Sequence, residues 1–144
     1  MRALLDVNVL IALLDTGHSH HALASQWFGQ NIASGWASCP ITQSGCIRIM
    51  SQPSYPGLAR SSADVAHKLH HAAQHASHQF WEDRLSLADL DIFAWQHIQG
   101  HRQITDAYLL ALAVHHQARF VTFDRRIGIQ AVRGAESAHL LLVE

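Results

Sequence analysis

Apolar and polar positions along this chain follow two rhythms. Short continuous apolar runs, such as RALL at 2–5 and ARFVTF at 118–123, read as buried strands. Longer stretches with apolar residues three and four apart read as helices. From the amino end, the pattern predicts a strand over 2–5 and a helix over VNVLIALL, capped by Asp6 or Asn8. A helix over about 19–30 follows, then a strand at WASC, 36–39. Pro40 suits the first turn of a helix because no amide hydrogen bond is needed there, so ITQSGCIRIMSQ is the next helix. QPSYPGLAR holds two of the three prolines and reads as a loop. Ser61 or Ser62 caps a helix over 62–79, with Val65, Leu69, Ala72, Ala73, Ala76 and Phe80 on one face. A short strand is expected at 80–82, a helix from Asp91 to Gly100, and a strong helix, DAYLLALAVHHQ, capped by Thr105. ARFVTF, a turn at DRRIG and a last strand at HLLLV complete the chain. Strands alternate with helices throughout. That order predicts an α/β domain with a parallel sheet covered by helices on both faces.

Composition narrows the class. The 144 residues suffice for one domain over 1–144 with a sizeable core, and 49% apolar against 15% charged residues marks a globular chain. No apolar run reaches the roughly 18 residues of a membrane span, and the amino end lacks a signal-peptide pattern. Cys39 and Cys46 match no common zinc or redox spacing, so reduced thiols in a cytoplasmic protein are expected. The net charge of -1 argues against holding long nucleic acid by bulk electrostatics.

Three carboxylates stand out against this frame. Asp6 follows the strand RALL, and Asp124 follows RFVTF. In open parallel sheets, ligands bind just outside the carboxyl ends of strands. Asp106 opens the helix that leads into RFVTF and is expected at the same edge. Taken singly, each Asp has an ordinary role as a helix cap or turn residue. Three acids converging at one edge repel unless a cation sits between them. Mg²⁺ or Mn²⁺ suits oxygen ligands, and either ion can activate water for attack on phosphorus.

The blocks LLDVNVLIALL, TQSGCIRIMSQP, ITDAYLLALAV and RFVTFDRRI, in this order over nearly the whole chain, resemble the PIN domain, and within it the VapC-type toxins. The resemblance implies a three-layer α/β/α fold and a Mg²⁺- or Mn²⁺-dependent endoribonuclease. It implies an RNA substrate, a cognate antitoxin partner and a homodimer. Asp6, Asp106 and Asp124 match the family's metal-binding acids. Asn8 and Thr122 match polar residues that line the site, and Arg48 matches the Arg that follows the second block. One position departs. Where the family places a Glu, this chain has Gln43, whose amide can ligate or orient but brings no charge. That departure points to one ion held by the three Asp residues, with Gln43 assisting. It also leaves open a PIN-like module that binds RNA or a partner without cutting.

Arg48, Arg102, Arg125 and Arg126 are candidates for flanking phosphates. Of the 13 histidines, His67, His71 and His75 share a helix face turned away from the apolar stripe and are expected in solvent. His101, five residues before Asp106, is the histidine expected nearest the site. A phosphotransfer reading with Asp6 as nucleophile fails, because Asn8 stands where a second Asp is needed.

Overall fold

The computed structural model describes residues 1–144. Five short strands form one sheet: β1 (Ala3–Leu5), β2 (Trp36–Ser38), β3 (His78–Phe80), β4 (Arg119–Thr122) and β5 (Leu140–Leu142). Their order is β3-β2-β1-β4-β5, and every pairing is parallel. Five helices connect them: α1 (Val7–Leu14), α2 (His21–Asn31), α3 (Pro40–Met50), α4 (Ser62–Ala73) and α5 (Ile104–His115). The chain leaves β1 toward β2 on one side, and β4 occupies the other side. The crevice between β1 and β4 is therefore the point where strand order reverses, the place where such sheets bind ligands.

Alternate strand residues face opposite layers. Leu4, Ala37 and Phe120 pack with Leu109, Leu112 and Phe93 on one side. Leu5, Trp36 and Val121 pack with Val9, Cys46, Val65 and Leu69 on the other. The layers are unequal. One holds α1, α2, α3 and α4, while α5 is the one long helix of its layer, completed by the irregular chain around Phe93 and Val132.

That inequality corrects the expected helix from Asp91. The segment instead makes turns and a single 3-10 turn, Trp95–His97. Its backbone groups pair elsewhere: the Ala94 N–H donates to the Ala131 carbonyl, and the Arg133 N–H to that of Ile92. A helix would have required those groups for itself. The helix expected over 62–79 stops at Ala73, since Ala76 and Phe80 are exposed and add nothing to a buried stripe. The Ser77 carbonyl instead accepts the Trp36 N–H and the Arg2 guanidinium. The strand accordingly comes two residues early, at His78–Phe80. Ser61 caps α4 as expected, in a reciprocal pair with Asp64. Thr105 does not cap α5. The helix starts at Ile104, which places Asp106 in its first turn.

Gly45 of α3 faces α1, where an added Cβ would lie 2.7 Å from a Val7 methyl. The two helices thus meet through a bare backbone, one residue beyond Asp6.

Candidate active site

β1 and β4 are hydrogen-bonded neighbours, so the residues that follow them meet. Asp6, the N-cap of α1, is buried; its Oδ1 accepts the Val7 N–H at 2.7 Å. Its Oδ2 accepts the Thr122 hydroxyl at 2.7 Å. The same hydroxyl oxygen accepts the Asp124 N–H at 3.0 Å. A hydroxyl carries one proton and accepts through its lone pairs, so Thr122 serves both neighbours at once. Asp6 thus caps α1 and, through Thr122, is tied to the backbone of Asp124.

Asp106 reaches the same edge from the first turn of α5. Burial pushes its carboxyl up to about 6, and the charges of Asp6 and Asp124 add to the rise, against a smaller opposing pull from Arg126. No hydrogen bond contributes. Burial also raises Asp6, against the hydrogen bonds from Thr122 and Val7, with Asp124 adding to the rise. Asp124 moves the other way. Arg126 grips it with Nε on Oδ1 at 3.0 Å and Nη2 on Oδ2 at 2.9 Å, and its N–H donates at 2.8 Å. Those contacts hold Asp124 below the usual carboxylate range. Two acids whose charge lacks a counter-ion thus sit beside a third that is already paired. Such uncompensated charge marks a functional site more often than a structural one.

The donor set fits a hard divalent cation: carboxylate oxygens, with Asp6 and Asp106 short of positive charge. No three His, Cys, Asp or Glu side chains are gathered tightly enough to enclose an ion in this arrangement.

A polar cavity of about 210 Å³ opens beside Asp106 and Asp124, walled by His101, Arg102, Gln103 and Arg126. Of the arginines considered for phosphates, Arg102 and Arg126 line it. Arg125 is turned to Glu144 at 2.7 Å. Arg48 is exposed in the last turn of α3 and does not line this cavity. Asn8 is exposed in the first turn of α1 and makes no side-chain hydrogen bond. Gln43, in the first turn of α3, donates its Nε2 to Ser38 Oγ at 3.1 Å. Ser38 went unnoticed in the sequence. Its place as the last residue of β2, beside the end of β1, is the signal that points to it. His67, His70, His71 and His75 are exposed on α4, as expected. A larger cavity, about 600 Å³ and mostly apolar, lies among α1, α2 and α4, lined by Leu10, Leu13, Leu14, Phe28 and Trp36. It contains no carboxylate.

The profile of the PIN domain matches residues 3–133. Ribonuclease VapC44 of Mycobacterium tuberculosis is 49% identical over 143 residues, covering 97% of this chain and 98% of that protein. Ribonuclease VapC39 of the same organism is 40% identical over 134 residues, covering 93% and 96%. Among solved structures, VapBC2 from Rickettsia felis, bound to a DNA fragment from its promoter, superposes with a TM-score of 0.56 at 12% identity, over 86% of this chain and 89% of that one. Mycobacterium tuberculosis VapC20, a sarcin-ricin loop cleaving toxin, superposes at 0.52 and 14% identity, over 81% and 85%. The two structures share the fold. Together with the family match and the relatives' identities, they place the chain in the PIN-domain family, among its VapC-type ribonucleases.

Proposed function

We propose that this chain is a Mg²⁺- or Mn²⁺-dependent endoribonuclease and the toxin of a toxin–antitoxin pair. The observation that carries the reading is the carboxylate edge. Asp6 and Asp124 are joined through Thr122 at the ends of adjacent strands, and both charges act on Asp106. Asp6, Asp106 and Asp124 would hold the ion, which supplies positive charge for the phosphodiester and acidifies water. Asp106, raised by burial and by the charges of Asp6 and Asp124, is the carboxylate with most to gain from a neighbouring cation. Thr122 keeps the Asp6 carboxylate oriented, and the Gln43 carbonyl is available to align water. Arg102 and Arg126 stand where flanking phosphates would lie. A small folded RNA recognised by shape suits a chain with net charge -1.

The reading includes a cognate antitoxin and a homodimer in the cytoplasm. Its support is the likeness to VapC proteins and the open apolar cavity among α1, α2 and α4, where a partner chain gains most from burial. No helix is long and apolar enough to cross a membrane. One observation favours a non-catalytic RNA- or partner-binding module instead: Gln43 brings no charge, and Asp124 is already paired with Arg126.

The deciding experiment incubates purified, antitoxin-free protein with total cellular RNA in Mg²⁺, Mn²⁺ or EDTA and maps new 5′ ends, with D106N alongside. Discrete cuts that need the ion and vanish in D106N establish the nuclease. Cuts that persist in EDTA or D106N belong to a contaminant. A folded protein that binds RNA and never cuts is the non-catalytic module.

A further inference from the structure

The turn between α1 and α2 carries two histidines that the cation site does not use. His20 is exposed and His18 is half-buried. Their rings lie 5.8 Å apart, and the His20 ring lies 5.0 Å from that of Phe123. Phe123 stands between Thr122 and Asp124, two residues of the carboxylate edge. It is half-buried against the layer of α1, α2, α3 and α4, across the sheet from α5, which carries Asp106. Three aromatic rings therefore lead away from the carboxylates, in the order Phe123, His20, His18. Neighbouring rings are tilted by 40° and 51° rather than stacked flat, and the middle one is open to solvent. The row ends at a polar cavity of about 620 Å³, which His18 lines together with Asp15, Gly17, Tyr55 and Arg60.

The turn that carries the rings is pinned. The Asp15 carbonyl accepts the His18 N–H at 3.0 Å, and the His18 carbonyl accepts that of His21 at 3.0 Å. The His20 N–H donates to His18 Nδ1 at 3.0 Å. His21 Nδ1 lies 2.7 Å from the Ala12 carbonyl and ties the start of α2 back to α1. Although His20 stands at the N-cap of α2, its side chain makes no capping hydrogen bond. An exposed ring on a fixed turn, without a duty in the fold, gives up little freedom when something lands on it. Beside a site that acts on nucleic acid, the matching surface is the face of a base. Stacking tolerates any sequence and needs no net charge. That suits a chain of net charge -1, for which bulk attraction to phosphates is weak. In folded RNA, unpaired loop bases are the ones that stack on His and Phe. On the α5 side, Arg102 and Arg126 line the other cavity. The two sides of the edge thus offer one strand different chemistry: guanidinium groups for phosphates and rings for bases.

We infer that His20 and His18, propped on Phe123, form a stacking platform for unpaired RNA bases on the α2 side of the carboxylate edge. The inference rests on the nuclease reading above for the identity of the strand. A strand seated this way crosses the sheet edge, with its phosphates toward Arg102 and Arg126 and its next bases on the rings. Stacking makes a demand that charge does not. A duplex, whose bases already cover one another, cannot use the platform.

The test measures binding in EDTA, where no metal-dependent cutting interferes. The probe is fluorescein-labelled octaadenylate, followed by anisotropy, with a blunt rA·rU duplex of the same length as control. Wild type is expected to bind the single strand more tightly than the duplex. H20A, at an exposed position, should melt like wild type and bind octaadenylate about 5- to 10-fold more weakly. H20F keeps a ring without a charge and should bind as wild type does. H20K keeps a cation without a ring and should bind as weakly as H20A. In wild type, titration with octaadenylate should move the His20 ring protons upfield in the NMR spectrum. Unchanged binding in H20A, rescue by H20K but not by H20F, or a duplex bound as tightly as the single strand overturns the platform. The two readings fail separately. A protein that binds octaadenylate through His20 and never cuts RNA keeps the platform and loses the nuclease. One that cuts RNA and is indifferent to His20 keeps the nuclease and loses the platform.

Discussion

Two buried aspartates flank the first helix, and they are opposites. Asp15, at the carboxyl end of α1, is fully served: Tyr55 donates its hydroxyl, Gly17 its N–H at 3.0 Å, and Arg60 its guanidinium at 3.3 Å. The Tyr55 hydrogen bond, above all, holds its carboxyl below the usual range. Asp6, at the amino end, is equally buried but sits with other acids and no base, and its carboxyl is raised. Asp15 fastens the 51–60 loop to the turn after α1. Asp6 carries charge that the fold itself does not neutralise. Burial alone therefore does not distinguish a structural carboxylate from a functional one; the sign of its unmet charge does.

The largest expected contrast lies in activity against stability. D106N should cost at least about 10²-fold in metal-dependent cleavage while leaving the metal-free melting temperature unchanged or higher. D15A should do the reverse. It leaves Tyr55 and Arg60 without their partner, at a cost of about 2–4 kcal/mol, or a fall of roughly 5–12 °C on thermal melting. A D15A protein that melts like wild type would break the comparison.

The pH dependence sharpens it. Asp106 has a folded value of about 6 against an ordinary 3.8, so the folded state binds the extra proton. Its contribution to stability is present below about 4 and is lost as pH rises through about 6. Asp15 is depressed, so its contribution is present above about 4 and is lost as pH falls through its folded value. Metal-free D106N should therefore lack roughly 1–2 kcal/mol of the wild-type decline between pH 4 and 7, measured by denaturant unfolding. An unchanged pH profile in D106N would contradict the placement of Asp106 among the other acids.

The smallest effect concerns Arg126. Its guanidinium is exposed, so R126A should not move the melting temperature. It should instead free Asp124 and tighten Mn²⁺ binding several-fold, measured by calorimetry, while weakening the KM for RNA. Weaker Mn²⁺ binding in R126A would mean that Asp124 takes no part in the cation set.

Much of this was legible in the sequence, and the exceptions have physical causes. Asp6, Asp106, Asp124 and Thr122 lie at ends of long or strongly apolar elements, where local pattern and final position agree. The 91–99 segment failed because its apolar spacing suits a helix, while its backbone pairs with 131–133, a distant stretch that no local window includes.

The glycine at position 45 has a mechanical consequence. With nothing but hydrogen between α3 and Val7, that position works as a spacer of zero thickness, and its side chain carries no chemistry. Replacing it by Ala, and then by the larger Val, would force α3 away from α1 by graded steps, without altering a single charge. The molecule thus carries a built-in dial for the spacing of α1 and α3, the helices that follow β1 and β2, set at its narrowest stop.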